Sequence, residues 1–173
     1  MELSVAIDLL QGCIPSSERP QHWTDLGAGE GLFTRALGSL VRPGSHVVAV
    51  DQSTSALKSI AWDLRNVTLD RLAGNFSSLD FGKDFDGILM ANSLHYVPNQ
   101  LEFIRELASR LTPVGRIVIV EYERREPNTW VPYPIDFKKL KDIGAKTGFS
   151  IGRFGETPSV YGGATIYSAV LTR

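Results

Sequence analysis

The sequence has a single cysteine, Cys13, among its 173 residues. One thiol cannot close a disulfide within the chain or build a thiolate metal cluster, so a disulfide-stapled fold is excluded and no metal site is expected. The position of Cys13 near the end of a helical pattern is typical of a small buried apolar side chain.

The sequence also lacks an excess of either charge and any long apolar run. Lysine and arginine number 18 against 19 acidic residues, which gives no bulk attraction to nucleic acid or to an anionic membrane. No run approaches the roughly 20 apolar residues that span a bilayer, and the opening MELSVAIDLLQGCIP lacks the basic start of a signal peptide. We therefore expect a cytoplasmic protein without DNA or membrane partners, and its oligomeric state stays open.

Apolar runs alternate with amphipathic segments along most of the chain. The runs HVVAVD (46–51) and FDGILMAN (85–92) are typical of strands buried in a parallel sheet. Further strands are predicted at 22–26, 66–74 and 116–122, and helices at 3–14, 31–40, from Ser53 or Thr54 to Leu64, 101–111 and 135–147. Five strand–helix units in series predict an α/β fold whose ligands bind at the carboxyl ends of the strands.

The stretch HWTDLGAGEG (22–31) places three glycines in five positions behind Asp25. Glycines let the backbone approach a ligand closely. The loop lacks the Gly-Lys-Ser/Thr ending of a P-loop, and Leu32 replaces the small third residue of a dinucleotide fingerprint. S-adenosylmethionine carries no phosphate, and its ammonium and sulfonium cations suit a loop flanked by carboxylates.

A second acid, Asp51, ends the second predicted strand twenty residues beyond Gly31. A carboxylate at this position can accept hydrogen bonds from both ribose hydroxyls of a nicotinamide cofactor or of S-adenosylmethionine. Asp51 therefore predicts a nucleoside-containing ligand without choosing between the two.

Four segments, TDLGAGEG, VVAVDQS, AGNFSSL and FDGILMANSLHYV, resemble in order and spacing the motifs of class I S-adenosylmethionine-dependent methyltransferases, most closely the small-molecule, type 11-like branch. The resemblance covers about residues 20–122. It implies a Rossmann-like, doubly wound sheet of seven strands, mostly parallel with the last strand antiparallel, and helices on both faces. It also implies S-adenosylmethionine as the cofactor.

The same resemblance assigns residues to the parts of the cofactor. The methionine end would lie against the glycine loop and the ribose on Asp51. The adenine would lie beside Asn75, where the family usually has Asp, and beside Gln52, where it often has an apolar residue. The implied set comprises Asp25, Gly27, Ala28, Gly29, Gly31, Asp51, Gln52, Asn75, Phe76, Asn92 and Ser93, of which the last two would lie beside the sulfonium.

Methyl transfer needs a base only when the acceptor must lose a proton. His95 follows the fourth strand, and a neutral imidazole is suited to deprotonating a hydroxyl near pH 7. Glu121, at the end of the fifth strand, could orient an acceptor or its amine, and Tyr133 is the third candidate. These three residues are the predicted catalytic set.

The residues that follow the fifth strand are predicted to surround the acceptor. Aromatic surface near the mouth of the site comes from Tyr122, Trp130, Tyr133 and Tyr161. Arg124 and Arg125 are interpreted as solvated loop charges.

We predict a single domain over 1–173. Its parts are an N-terminal helix that could cover the site, a linker, a cofactor-binding core, a substrate-facing loop, and a C-terminal helix with a strand hairpin, at 1–14, 15–21, 22–122, 123–134 and 135–173. No large insertion closes the acceptor site. Either the acceptor covers the site itself, or the first helix and the 123–134 loop fold over a small one.

The favoured function is methyl transfer to an oxygen or nitrogen atom of a small molecule. A nicotinamide oxidoreductase is disfavoured, because neither Tyr122 nor Tyr133 is followed four residues later by lysine. Two alternatives stay open: a non-catalytic methyltransferase-like binding or regulatory module, and a methyltransferase that acts on a protein or an RNA.

Overall fold

The structure is a computed structural model, and it describes residues 1–159 and 164–173. Within these residues, seven strands form one sheet: β1 His22–Leu26, β2 His46–Asp51, β3 Thr68–Ala73, β4 Phe85–Ala91, β5 Leu111–Tyr122, β6 Ser150–Pro158 and β7 Thr165–Thr172. The described part of the chain also forms five α-helices: α1 Leu3–Leu10, α2 Leu32–Leu40, α3 Thr54–Ser59, α4 Gln100–Ser109 and α5 Phe137–Thr147. A short 3-10 turn, Leu94–Tyr96, follows β4.

The strand order is β3-β2-β1-β4-β5-β7-β6. The first five strands of this order pair in parallel, and β7 is antiparallel to both β5 and β6. The predicted fold class is confirmed, including the antiparallel last strand. The order reverses between β1 and β4, so their carboxyl ends flank the crevice where sheets of this type bind ligands.

Alternate residues of each central strand enter two different hydrophobic cores. On one face, Leu26, Val50 and Met90 pack with side chains of α4 and α5. On the other, Trp23 and Leu89 pack with side chains of α1 and α2. Because side chains of a strand alternate between faces, a strand covered on both sides is apolar throughout, as these runs are.

Helix α3 is shorter than the sequence predicts. The apolar spacing continues to Leu64, but the helix ends at Ser59. The guanidinium of Arg71, from β3, donates hydrogen bonds to the main-chain oxygens of Leu57 and Ile60, at 2.9 and 3.0 Å. These bonds satisfy carbonyls at the end of the helix. Arg71, a residue of a later strand, thus caps the helix at this end.

Other boundaries differ by a few residues. Helix α1 ends at Leu10 rather than residue 14, and Leu111, predicted as helical, begins β5. The helix predicted at 135–147 begins at Phe137, after the side chain of Asp136 caps it by accepting from the main-chain N–H of Lys139 at 2.8 Å. Gly148 caps its other end in the left-handed conformation.

Helix α1 packs on α2 and β6. Cys13 is fully buried just after it, as predicted, and burial raises the pKa of its thiol to about 11. None of the helices in the described parts of the chain has the length and apolar character that a membrane crossing requires.

Candidate functional site

The glycine loop leaves β1 and turns beside the end of β2. The main-chain N–H groups of Gly27 and Ala28 both donate to the carbonyl of Val50, at 2.8 and 3.0 Å. Gly27, Gly29 and Gly31 all have positive φ angles, 83°, 53° and 82°. These bonds and angles hold the bare backbone at the carboxyl edge of the sheet.

Gly27 also has no room for a side chain. A Cβ atom there would lie 2.5 Å from Cβ of Ser93, well inside van der Waals contact. Ser93 is held in place because its hydroxyl donates to the carbonyl of Leu26 at 2.6 Å. The ends of β1 and β4 are therefore joined at the crevice by a contact that only glycine permits.

Both oxygens of Asp51 face backbone donors. Its Oδ2 accepts from the N–H of Gly29 at 2.8 Å, and its Oδ1 accepts from the N–H of Ser53 at 2.8 Å. The carboxylate is only partly buried. Each oxygen has a second lone pair, so the group can still accept two hydroxyl hydrogen bonds from a ligand.

A cavity of about 320 Å³ lies between these strand ends, and we call it the cofactor cavity. Its lining residues are Gly27, Asp51, Gln52, Asn75, Phe76, Ser77, Asn92, Ser93 and Tyr96. The structure thus brings most of the predicted cofactor residues together around one space. Asn75 uses its side-chain oxygen to accept from the N–H of Ser77 at 2.9 Å.

Asp25 lies behind the loop and not on the wall of this cavity. Its side chain is 1% exposed, and Oδ2 accepts from the hydroxyl of Thr34 at 2.6 Å. Oδ1 has no hydrogen-bond partner within the described residues. Burial raises the pKa of Asp25 to about 7, against the hydrogen bond from Thr34, and the negative charge of Asp51 adds to the rise.

Three other predicted loop residues also lie outside the cavity lining. Ala28 packs on Leu57 and Ile60, and Ile60 covers Gly31 so closely that a Cβ there would meet it at 2.6 Å. Gly29, by contrast, faces open space, with no described atom within 4 Å of an added Cβ. The structure therefore gives Ala28 and Gly31 packing roles.

A second cavity, of about 530 Å³, adjoins the first, and we call it the acceptor cavity. It is lined by Asn92, His95, Tyr96, Tyr122, Arg124, Asn128, Trp130, Val131 and Ala164. Asn92 and Tyr96 line both cavities. Asn92 has a left-handed backbone, with φ 53°, and its Oδ1, which is buried from solvent, has no hydrogen-bond partner among the residues described.

His95 forms a buried pair with Glu121. Nδ1 of His95 lies 2.8 Å from Oε2 of Glu121, and the main-chain N–H of His95 donates to Oε1 at 3.1 Å. His95 is 2% exposed and Glu121 is fully buried. Where Nδ1 donates to this carboxylate, Nε2 is the ring nitrogen left to accept a proton.

Glu121 and Tyr133, both predicted to be catalytic, do not line the acceptor cavity as His95 does. Glu121 lies behind His95 and acts on it. Tyr133 reaches the site through its backbone, because its N–H donates to the carbonyl of His95 at 3.0 Å. The Tyr133 side chain borders a neighbouring shallow groove with Arg125 and Lys139.

The loop after β5 contributes part of the acceptor cavity wall. Tyr122 and Trp130 line it, as predicted, whereas Tyr161 lies outside the described residues. Arg125 pairs with Asp136 at 2.6 Å, but Arg124, interpreted from sequence as a solvated charge, lines the cavity.

Sequence reasoning missed Thr34, Tyr96 and Asn128. The side-chain oxygen of Asn128 accepts from the N–H groups of Trp130 and Val131, at 2.9 and 2.6 Å, and so shapes the loop. The asparagine two residues before Trp130 was the available signal, since Asn side chains commonly form such turns.

Comparison with known proteins places this geometry in a family. Residues 24–119 match the family model described as a methyltransferase domain. A demethylmenaquinone methyltransferase from Mycobacterium bovis is 34% identical over 99 residues, which are 57% of this chain and 39% of that protein. One from Lactococcus lactis is 31% identical over 101 residues, 56% of this chain and 40% of that protein. The chain thus spans about two fifths of the length of these relatives.

Solved structures show the same fold. The 1,6-didemethyltoxoflavin-N1-methyltransferase of Burkholderia thailandensis, solved with 1,6-didemethyltoxoflavin and S-adenosylhomocysteine, has a TM-score of 0.75 at 22% identity, covering 98% of this chain and 76% of that one. The YcgJ protein of Bacillus subtilis has a TM-score of 0.71 at 14% identity, covering 97% and 98%.

Proposed function

This chain belongs to the class I S-adenosylmethionine-dependent methyltransferases, and we propose that it transfers a methyl group to an oxygen or nitrogen atom of a small-molecule acceptor. The observation that carries the proposal is the pair of adjoining cavities that share Asn92 and Tyr96. One is lined by Gly27 of the glycine loop and by Asp51, and the other by aromatic side chains and His95. Two reactants bound in these spaces would be next to one another.

The residues of the cofactor cavity fit S-adenosylmethionine. Asp51 keeps free lone pairs for the ribose hydroxyls, and Phe76 and Gln52 offer flat surfaces for the adenine. Asn92 lines both cavities at their junction. Asp25 lies behind the loop, where its carboxylate accepts from Thr34.

The cofactor supplies a methyl group activated by a positively charged sulfur, which keeps the electron pair of the broken bond. The protein then has to align the acceptor, and such alignment contributes as much as about 7–11 kcal/mol to a transfer reaction. Asn92 and Tyr96, which border both spaces, position the two reactants relative to each other.

His95 is proposed as the base for an acceptor that must lose a proton. Its Nε2 takes the proton of the acceptor's O–H or N–H while that oxygen or nitrogen takes the methyl group. Glu121 is a positioning residue, because its hydrogen bond to Nδ1 holds the tautomer and supports the imidazolium that forms. Tyr133 holds the same turn through its backbone.

A small acceptor is supported by the size of the acceptor cavity. Its volume of about 530 Å³ lies within the range of about 300–1,000 Å³ for small-molecule pockets. The 123–134 loop supplies Arg124, Asn128, Trp130 and Val131 to its wall, which supports this segment as the substrate-facing loop. Helix α1 packs on α2 and β6 and, among the described residues, contributes none to either cavity.

The first test is calorimetric titration with S-adenosylhomocysteine, with NADH as the control. Micromolar binding of the first and none of the second supports the cofactor assignment and justifies screening hydroxyl and amine acceptors. Binding of neither would favour a non-catalytic module. Cofactor binding with turnover only on a protein or an RNA would overturn the small-molecule part of the proposal.

A further inference from the structure

Arg124 is a permanent cation at the wall of the acceptor cavity. Its side chain is half-buried, and it lines both this cavity and the shallow groove beside Tyr133. Its Nε donates to the main-chain oxygen of Glu126, which fixes the guanidinium to the loop. Within residues 1–159 and 164–173, its two terminal nitrogens have no hydrogen-bond or ion-pair partner.

Two of the neighbouring carboxylates are engaged elsewhere, and the third, Glu126, is exposed and does not line this cavity. Glu123 pairs with Arg153 at 2.8 Å, and Asp136 pairs with Arg125 at 2.6 Å. A guanidinium stays protonated at any pH a protein tolerates, and its two terminal nitrogens match the two oxygens of a carboxylate. Arg124 therefore presents an unused site for an anion, next to arginines whose charges are neutralised by the fold.

The cavity that Arg124 faces carries no opposing negative charge on the described part of its wall. None of the described residues that line it is acidic. The carboxylate of Glu121 lies behind His95, fully buried and hydrogen-bonded to it. A negatively charged acceptor would meet attraction from Arg124 without repulsion from the described wall.

Aromatic side chains form much of the remaining wall. Tyr96 and Trp130 are 56% and 76% exposed, and Tyr122 lies with its ring centroid 6.0 Å from that of His95. Aromatic faces stack on planar rings and contribute about 0.5–1.5 kcal/mol beyond the area they bury. The wall thus combines flat apolar surfaces with a cation and an imidazole.

We propose that the acceptor is a planar aromatic acid, and that Arg124 binds its carboxylate while a ring hydroxyl or ring nitrogen faces His95. Arg124 is then the specificity-determining residue of the acceptor cavity. The inference rests on the proposed function, because it names the acceptor class of the same site. The anionic group is recognised by charge and bidentate geometry, and the ring by stacking.

The test compares aromatic acids with their neutral amides by calorimetry. The probes are hydroxybenzoate, hydroxynaphthoate and indole carboxylate, each beside the corresponding carboxamide, with and without saturating S-adenosylhomocysteine. At least one acid is expected to bind ten or more times tighter than its amide. Arg124→Gln should reduce that ratio to about one, Arg124→Lys should restore part of it, and both variants should keep the parent's affinity for S-adenosylhomocysteine.

Arg65→Gln is the matched control, since Arg65 is an exposed arginine in the loop between α3 and β3. It removes the same charge and should leave the acid-to-amide ratio unchanged. An acid preference that survives in Arg124→Gln, or no acid in the panel binding better than its amide, would overturn the inference. If the parent protein does not bind S-adenosylhomocysteine, the proposed function is contradicted instead. The acid-to-amide ratio measured in the absence of S-adenosylhomocysteine then tests the inference separately.

Discussion

Asp25 and Asp51 lie at the ends of neighbouring strands, yet the structure gives their carboxylates opposite surroundings. Asp51 is partly exposed, and both of its oxygens accept from backbone N–H groups. Asp25 is buried, with one hydrogen bond from Thr34 and one oxygen that has no partner among the described residues. Asp51 is therefore available to a ligand, whereas Asp25 carries a desolvation cost within the protein.

Replacing Asp51 with alanine should weaken binding of S-adenosylhomocysteine by about 100-fold or more, because a charged acceptor of two hydrogen bonds is lost. The variant also loses the bonds that hold the N–H groups of Gly29 and Ser53. Titration calorimetry measures the affinity, and Asp142→Ala, at an exposed acid on α5, is the control. Unchanged affinity in Asp51→Ala would show that the ribose is not bound here.

The variant Asp25→Asn should be more stable than the parent above pH 7. The folded protein binds the Asp25 proton more tightly than the unfolded chain does, since burial raises the pKa from 3.8 to about 7. In the parent protein, the stabilisation from the protonated Asp25 carboxyl is therefore complete below about pH 4. It is lost as the pH rises through about 7. The advantage of the Asp25→Asn variant should grow from about pH 4 to about pH 7 and then level off at up to about 4 kcal/mol.

Urea unfolding at several pH values between about 4 and about 9 measures this difference, with Asp142→Asn as the exposed control. A stability difference that does not change with pH would mean that Asp25 titrates near its ordinary value in the folded protein.

Glu121→Gln should lower turnover of a hydroxyl acceptor by more than about tenfold. The amide keeps the size of the side chain but removes the negative charge that supports the imidazolium of His95. KM for the acceptor and affinity for S-adenosylhomocysteine should stay within about twofold of the parent. Steady-state kinetics separate these quantities, with Glu123→Gln as the control, and an unchanged kcat would remove the pair from the mechanism.

At the scale of the elements, the site depends on loops held at the ends of strands. The glycine loop is tied to β2 by two hydrogen bonds to Val50. The turn after β4 is tied to β5, because Glu121 binds both the ring and the backbone of His95. Rigid strands therefore position each loop, and the loops carry the groups that contact the reactants.

Gly27→Ala should destabilise the fold by about 2–4 kcal/mol, since it adds the strain of a left-handed residue to a steric overlap. The overlap is with Ser93, at 2.5 Å. The matched variant is Gly29→Ala, where φ is also positive but an added Cβ meets no described atom within 4 Å. Gly29→Ala should cost only about 1 kcal/mol. Thermal or urea unfolding compares the two, and equal losses would mean that the contact with Ser93 relaxes freely.

At the scale of the whole molecule, the two cavities lie along one edge of a single sheet. Strands β1, β2, β4 and β5 end at that edge and are packed on both faces by helices. A ligand that contacts several strand ends binds only the folded state. Its binding energy is therefore added to the stability of the entire domain.

S-adenosylhomocysteine at about 100 times its Kd should stabilise the fold by about 2.7 kcal/mol. For a chain of this size, that corresponds to a rise in Tm of about 5–10 °C. Differential scanning calorimetry measures the shift, and NADH at the same concentration should produce none. Equal shifts with both compounds would contradict the choice of cofactor.

The family and the fold class could be predicted from the amino-acid sequence alone, and so could the strand ends that line the cofactor cavity. Strands β1 and β2 have the predicted bounds because apolar runs between glycine, proline and polar turns are local signals. Gly27, Asp51 and Asn92 were found because their chemistry follows from their positions at strand ends.

Which polar groups meet and which are buried became clear only from the three-dimensional structure. The pairing of His95 with Glu121 joins residues 26 positions apart, and the burial of Asp25 depends on α2 covering it. Arg71, from β3, hydrogen-bonds the end of α3, and Arg124 lines the acceptor cavity. Residue periodicity and spacing in the sequence depend on local structure. Burial and side-chain pairing depend on contacts between distant segments, and these contacts exist only after the sheet has formed.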